Sequence, residues 1–236
     1  MRNNRQHFIW SSIIMVFCLV ETGCIKSSPN SNATSAICYV SVMNEAPYSS
    51  TADVYFNGTK VNSSGIAPGQ FSSQYGSVVP GVYTVDFKVT GTDSLLYEIP
   101  AVQYDTANFY TLILYNTGPK SPAVSAARII DDFSAITETS AYYRFFNLNP
   151  DIAEANLYLN GSAVQTDRTP LDFTNPSASA FQPVNPSGYA IQITNSATDS
   201  VLAALGATPL AAGSVYTIFL QGTGTQPTIG VLPAAY

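Results

Sequence analysis

Histidine, tryptophan and cysteine are scarce in this chain of 236 residues, which holds one His, one Trp and three Cys. His7, Trp10 and Cys18 all lie in an N-terminal segment that we interpret as a signal peptide. Because the chain that remains has no His, we exclude a Ser-His-Asp site, a Cys-His site and a zinc site of the usual His and Cys type. It keeps two cysteines. We expect no internal disulfide, because Cys24 is the predicted lipidation site, and we expect Cys38 to be a small buried side chain in a strand.

Charged residues are also few. They make up 10% of the chain, the net charge is -6, and Lys and Arg form no cluster. A nucleic-acid partner requires a basic surface that neutralises phosphates, so we predict that the protein binds no nucleic acid. The hydrophobic share of 46%, rich in Tyr and Phe, is too high for a disordered chain and favours β-structure around a sizeable core.

The N-terminus has the pattern of a signal peptide over residues 1–24. Arg2 and Arg5 precede the apolar segment FIWSSIIMVFCLV, whose 13 residues are too few to span a bilayer as a stable helix. The ETGC sequence that follows resembles the lipobox of bacterial lipoproteins, although Glu21 stands where that family has Leu or a similar residue. The resemblance implies that Cys24 is lipidated and becomes the mature N-terminus. The alternative is an ordinary secretory peptide in which Cys24 has no role.

A polar segment rich in Ser and Asn, residues 25–36, follows Cys24. It has nothing to bury, and we predict a flexible tether between a membrane anchor and a folded body. Ile25 is not the Asp that would indicate retention at the inner membrane. We therefore expect a Gram-negative envelope lipoprotein of the outer membrane, facing either the periplasm or the cell surface.

The rest of the chain is an internal repeat. The first matching blocks are separated by 103 residues and the later ones by 106, as expected for a duplicated unit with a three-residue insertion in its second copy. The matching blocks are VMNEAP (42–47) with FFNLNP (145–150), DVYFNG (53–58) with NLYLNG (156–161), TDSLL (92–96) with TDSVL (198–202), and FYTLIL (109–114) with VYTIFL (215–220).

Each repeat has the pattern of short strands. Residues 83–89 alternate apolar and polar, which indicates a half-buried strand, and residues 109–115 are apolar on both faces, as expected for a central strand. Seven or eight such strands in about 100 residues predict an all-β fold of two tandem immunoglobulin-like β-sandwich modules. We place the modules at residues 37–130 and 141–236, with a linker at 131–140.

Two local motifs recur in both copies. Asn57-Gly58 and Asn160-Gly161 predict type I′ hairpin turns, because Asn and Gly tolerate the positive φ angles that this turn requires. Tyr110 and its repeat equivalent Tyr216 each open a central strand, six residues after a large residue. Such a Tyr can form a corner in which its hydroxyl bonds to the upstream backbone; simple packing of the ring is the alternative.

The blocks ADVYFNG, SSQYGSVVPGVYTVDF and YTLILYNTG together resemble the bacterial envelope family known as domain of unknown function 4397, here in tandem. The resemblance covers residues 37–130 and, more loosely, 141–236. It implies secreted or lipid-anchored β-sandwich modules. It supplies no catalytic residue.

Carboxylates are the remaining groups for catalysis, because paired acids can hydrolyse glycosides. Asp131 and Asp132 are adjacent, and Asp151 and Glu154 lie in one loop. Such acids are more often solvated surface groups, so we predict that the protein is not an enzyme and has no cofactor and no metal site. Ca²⁺ binding through Asp151 and Glu154 is a weaker alternative, because their spacing matches no known calcium loop.

Sandwich proteins carry function on their end loops, so we predict a ligand-binding surface on loops 44–51 and 147–155. Tyr48, Asp151 and Glu154 are its candidate contacts.

Three triplets of Asp, then Ser or Thr, then an apolar residue resemble an O-glycosylation motif of some bacterial envelope proteins. Their candidate acceptors are Ser94, Thr106 and Ser200. The alternative is a plain turn that enters a strand.

These observations predict a lipid-anchored, non-catalytic envelope protein that serves surface adhesion, scaffolding or binding. Its expected partners are the membrane, through the lipid anchor, and a polysaccharide or another envelope protein. The alternative is a carbohydrate-active enzyme or an accessory subunit of a polysaccharide-processing system.

Overall fold

β-Strands make up most of the part of the chain that the computed structural model describes, residues 36–72 and 74–234. The predicted signal peptide, Cys24 and all of the predicted tether except Ala36 lie outside the described residues. Within the described ranges, no helix has the length and hydrophobicity needed to cross a membrane.

The described residues of the first copy form nine strands: β1 (Cys38–Glu45), β2 (Ala52–Phe56), β3 (Thr59–Lys60), β4 (Gln70–Phe71), β5 (Gly76–Val78), β6 (Gly81–Val89), β7 (Leu95–Tyr104), β8 (Phe109–Asn116) and β9 (Val124–Asp131). In the second copy, residues up to 234 form eight strands: β10 (Ala141–Asn147), β11 (Ala155–Leu159), β12 (Ser162–Arg168), β13 (Gln182–Val184), β14 (Ser187–Asn195), β15 (Val201–Leu210), β16 (Val215–Thr223) and β17 (Gln226–Ala234). Between β12 and β13 lie a 3-10 helix at Asp172–Thr174 and the short helix α1 at Pro176–Ser179.

Each copy is built from two sheets, which confirms the predicted all-β sandwich fold. The strand order is the same in both copies. In the first copy, the inner sheet runs β4-β1-β8-β9, with β5 also paired to β1, and the outer sheet runs β3-β2-β6-β7. In the second copy, the inner sheet runs β13-β10-β16-β17 and the outer sheet runs β12-β11-β14-β15. The first strand of each copy is parallel to a late strand inside its sheet, β1 to β8 and β10 to β16. An immunoglobulin constant domain has sheets ABED and CFG, so the likeness is one of sandwich architecture and not of strand order.

The inner sheets are buried on both faces because they pack on each other as well as on their outer sheets. Along β8, Leu112 and Leu114 point into the core of the first sandwich. Ile113, between them, points into a core shared by the two copies. This explains why residues 109–115 are apolar on both faces. The buried members of the shared core are Met43, Ile113, Ile129, Phe146, Leu148, Phe173, Phe219 and Leu232.

The segment predicted as a linker, residues 131–140, joins β9 to β10. Its Phe133 ring lies 5.1 Å from the Phe109 ring of the first copy and 5.5 Å from the Phe181 ring of the second, measured between centroids. The described residues of both copies form one compact unit.

The predicted hairpin turns are confirmed. Asn57 and Gly58 have φ angles of 46° and 77°, and Asn160 and Gly161 have 50° and 79°, as a type I′ turn requires. Asn57 has a second role, because its Oδ1 accepts a hydrogen bond from the backbone N–H of Thr84 at 2.9 Å.

The predicted tyrosine corners are confirmed as well. The Tyr110 hydroxyl accepts a hydrogen bond from the Asp105 N–H at 2.8 Å, and the Tyr216 hydroxyl accepts one from the Ala211 N–H at 3.0 Å. Cys38 is fully buried in β1, as expected for a small apolar side chain.

Candidate functional site

The two loops predicted to bind a ligand, 44–51 and 147–155, meet each other. The Tyr48 hydroxyl donates to Asp151 Oδ2 at 2.5 Å, and the two residues are 103 positions apart, so they are repeat equivalents. Asp151 also accepts hydrogen bonds from the Lys120 N–H at 2.9 Å and the Gly224 N–H at 2.7 Å. This contact therefore joins one copy to the other.

The hydrogen bonds of this joint change the acidity of both side chains. Desolvation alone would raise the pKa of Asp151, but the hydrogen bonds from Tyr48, Gly224 and Lys120 outweigh it and hold that pKa below its usual value. The same bond to Asp151 raises the pKa of Tyr48. Asp151 is therefore an anion whose oxygens already have donors, and the geometry fits a structural joint.

Glu154, the third candidate contact, lies apart from this joint. Its side chain is exposed, and its backbone carbonyl accepts a hydrogen bond from the Ser196 N–H at 3.1 Å. The structure thus brings two of the three candidate residues together.

The adjacent acids Asp131 and Asp132 have different environments. Asp131 is buried between the copies and pairs with the Arg144 guanidinium at 2.6 Å. It also accepts hydrogen bonds from the hydroxyls of Thr111 at 2.5 Å and Tyr75 at 2.7 Å. Asp132 is exposed and accepts from the Ser134 N–H at 2.9 Å. A carboxylate pair for glycoside hydrolysis needs two groups facing one substrate, and this arrangement does not provide it.

The candidate O-glycosylation residues all lie in exposed turns. Ser94 lies in the turn between β6 and β7, Thr106 between β7 and β8, and Ser200 between β14 and β15. These positions fit both interpretations, so the modification stays a prediction. The lipidation site Cys24 lies outside the described residues.

Sequence reasoning missed an open groove in the first copy. The groove is a cavity of about 690 Å³ between the edges of the two sheets, and Val54 and Phe56 of the sandwich core form its floor. Val61, Ile66 and Val78 line its walls. Since β3 and β4 have two residues each, the sheet edges are short and leave an opening above the buried side chains of Val54 and Phe56. This volume falls in the range of small-molecule sites.

The rim of the groove is polar and uncharged. Ser63, Ser64, Gln74 and Ser77 line it and are exposed. No Asp, Glu, Lys or Arg is among the lining residues of the described chain. A sequence signal existed in the segment NSSGIAPGQFS, residues 62–72, where apolar Ile and Phe interrupt a Gly, Pro and Ser-rich loop.

The corresponding opening of the second copy has a different chemistry. It measures about 520 Å³ and is lined by polar side chains, among them Gln165, Arg168 and Gln182. The longer connection that carries α1 borders it, and Arg168 holds this connection through a hydrogen bond to the Ala178 carbonyl at 3.0 Å. The apolar groove is therefore a feature of the first copy.

Metal-binding clusters of the usual kind are missing from the described residues, where no group of three His, Cys, Asp or Glu side chains could hold an ion.

Comparison with known proteins gives one family. The family described as Domain of unknown function (DUF4397) matches residues 38–158, from the first residue of β1 to the fourth residue of β11. No curated protein shows significant similarity to the chain. The match spans the whole first copy and just over half of the chain. The chain therefore belongs to the family of domain of unknown function 4397.

Proposed function

We propose that this protein is a lipid-anchored, non-catalytic binding protein of a Gram-negative envelope, resident in the outer membrane, whose first-copy groove holds a saccharide chain. Adhesion or scaffolding at the envelope follows from such binding. The observation that carries the proposal is the groove itself, an apolar cavity with an uncharged polar rim.

The chemistry of the groove suits a neutral sugar. A sugar ring has an apolar face and a periphery of hydroxyls, and the groove has apolar walls at Val61 and Ile66 below a rim of Ser and Gln. A pocket with an apolar body and a few placed polar groups is the usual form of a small-ligand site. An extended protein segment is the competing occupant, and it becomes one outcome of the test.

The second copy is proposed as a second domain of the same family, with a supporting role. It has the same strand order as the first copy, and the inner sheets of the two copies share a buried core. Such packing would hold the groove rigidly on an anchored body. The N-terminal pattern that ends at Cys24 supports the anchor.

The test uses a charge placed at the mouth of the groove. Val61 is 50% exposed and Val82, outside the groove, is 57% exposed, so Glu should be tolerated at both positions. We expect the purified protein to bind glycans on an array, and Val61→Glu to weaken this binding by at least about tenfold, because an unpaired charge resists desolvation. Val82→Glu should bind as the wild type does.

Three outcomes would refute the proposal. Equal glycan binding by the two variants would place the site elsewhere. Binding of protein segments but of no glycan would favour the competing occupant. Release of soluble sugar from a polysaccharide, abolished by one carboxylate substitution, would support the enzyme alternative.

A further inference from the structure

Glu45, the last residue of β1, has a buried carboxyl oxygen with no hydrogen-bond partner and no neighbouring positive charge in the described chain. It is 1% exposed, and within the described part of the chain its Oε1 has no hydrogen-bond partner. Burial alone raises its pKa well above the usual value, with no contribution from a neighbouring charge. A buried carboxyl in this state costs stability unless something else satisfies it.

Gln221, in β16 of the second copy, has the same property. Its amide Oε1 is buried and also lacks a partner among the described residues. This oxygen faces Gly69 of the first copy, since a side-chain Cβ at that glycine would lie 3.7 Å from it. Glu45 and Gln221 line one cavity of about 380 Å³ at the junction of the copies.

The other polar side chains of this cavity are uncharged. Gln70, Thr223 and Thr228 are among its lining residues, so the described lining offers amides and hydroxyls and no Lys or Arg. The two groups that lack partners are both oxygens. A ligand that satisfies them must therefore supply positive charge or hydrogen-bond donors.

The repeat shows that this polar pair is not needed to join the copies. Glu45 corresponds to Leu148, and Gln221 corresponds to Tyr115. Leu148 is buried in the shared core, and the Tyr115 ring packs on Phe173 at 5.2 Å between centroids. The junction thus has two equivalent places: the one with Leu148 and Tyr115 is largely apolar, and the one with Glu45 and Gln221 carries a buried carboxyl and a buried amide oxygen.

We propose that Glu45 and Gln221 bind a hard divalent cation, Ca²⁺, at the junction of the copies. An all-oxygen donor set of carboxylate, amide and hydroxyl groups suits Ca²⁺, which accepts six to eight oxygens in irregular geometry. The cavity has room for water to complete the coordination. With one carboxylate, we expect an affinity in the range of extracellular modules, about 10⁻⁴ to 10⁻³ M.

The test measures thermal unfolding and binding heat of the purified protein at pH 7.5, with Ca²⁺ up to about 10 mM, which exceeds the weakest expected dissociation constant roughly tenfold. We expect the midpoint to rise and saturate, with a stoichiometry of one. Glu45→Gln and Glu45→Leu, the latter copying the residue of the second repeat, should lose this response. Glu154→Gln removes an exposed Glu and should keep it.

Two further measurements identify the cation. NaCl at matched ionic strength should give no saturating shift of the unfolding midpoint, and Mg²⁺ should give a smaller shift than Ca²⁺ because it demands octahedral geometry. The proposal is overturned if wild-type protein shows neither shift nor heat with Ca²⁺. It is equally overturned if Glu45→Gln responds as strongly as the wild type.

The pH dependence gives an independent check. No second titratable side chain is among the described residues that line this cavity. Since the folded-state pKa of Glu45 is raised, the stability that its neutral form provides is complete below the unfolded-state pKa and is lost as pH rises through the folded-state pKa. Without Ca²⁺, wild-type stability should fall over this window, and Glu45→Leu should remove that fall. Ca²⁺ should bind more tightly as pH rises, because the proton competes with it; a pH-independent affinity would contradict the assigned ligand.

Discussion

Replacing Asp131 by Ala removes the only carboxylate that contacts Arg144 among the described residues. Arg144 is 1% exposed, and its guanidinium also donates to Thr217 Oγ1 at 2.9 Å and lies over the Phe181 ring at 4.4 Å. After the substitution, a full positive charge stays buried between the copies with only hydroxyl and aromatic partners. Thr111 and Tyr75 lose their acceptor as well.

The expected cost follows from the burial of the pair. Breaking a buried ion pair by removing one partner costs about 3–5 kcal/mol, mainly because the other charge stays desolvated. This is a large fraction of the roughly 5–15 kcal/mol by which a domain is stable. Removing both charges avoids that penalty, so Asp131→Ala combined with Arg144→Met should cost less than Asp131→Ala alone.

Equilibrium unfolding in urea measures these differences through the midpoint and the slope of the transition. Asp132→Ala is the matched control, because Asp132 is the adjacent, exposed acid; its cost should stay below about 0.5 kcal/mol. Equal costs for the two Asp→Ala variants would refute the view that Asp131 compensates a buried charge. A double variant as unstable as Asp131→Ala would assign the cost to the lost hydrogen bonds instead.

The remaining predictions use the same assay. Gly230→Ala should cost about 1–3 kcal/mol, since its Cβ would overlap the Phe219 ring in the shared core, whereas Gly206→Ala, surrounded by open space, should change stability by less than about 0.5 kcal/mol. Equal midpoints for these two would contradict the packing. Tyr110→Phe should cost about 1–2 kcal/mol, because the Asp105 N–H loses its acceptor; an unchanged midpoint would show that the ring alone forms the corner.

Features that depend on neighbouring residues were readable from the sequence. The alternation of residues 83–89 predicted a strand that is observed within β6. The Asn57-Gly58 turn was predictable because its backbone angles are set by two residues, and the corner of Tyr110 because its partner lies five residues upstream. The duplication was visible for the same reason, since each copy repeats these local solutions.

The candidate sites were harder to read because they join positions far apart in the chain. Tyr48 was predicted as a candidate ligand contact, and the structure shows its hydroxyl bonded to its own repeat equivalent, Asp151. Asp131 resembled a solvated linker acid until the packing of the inner sheets placed Arg144 beside it. Neither contact has a spacing pattern that a single sequence can display.

The sequence by itself determined the strands, the turns and the duplicated sandwich, because side-chain period and backbone preference act over a few residues. Tertiary structure alone decided that the two inner sheets share a core, that short edge strands leave a groove in one copy, and that Glu45 lies buried near Gln221. The physical reason is that burial and charge compensation depend on which distant surface covers a residue. In this protein that surface belongs to the other copy.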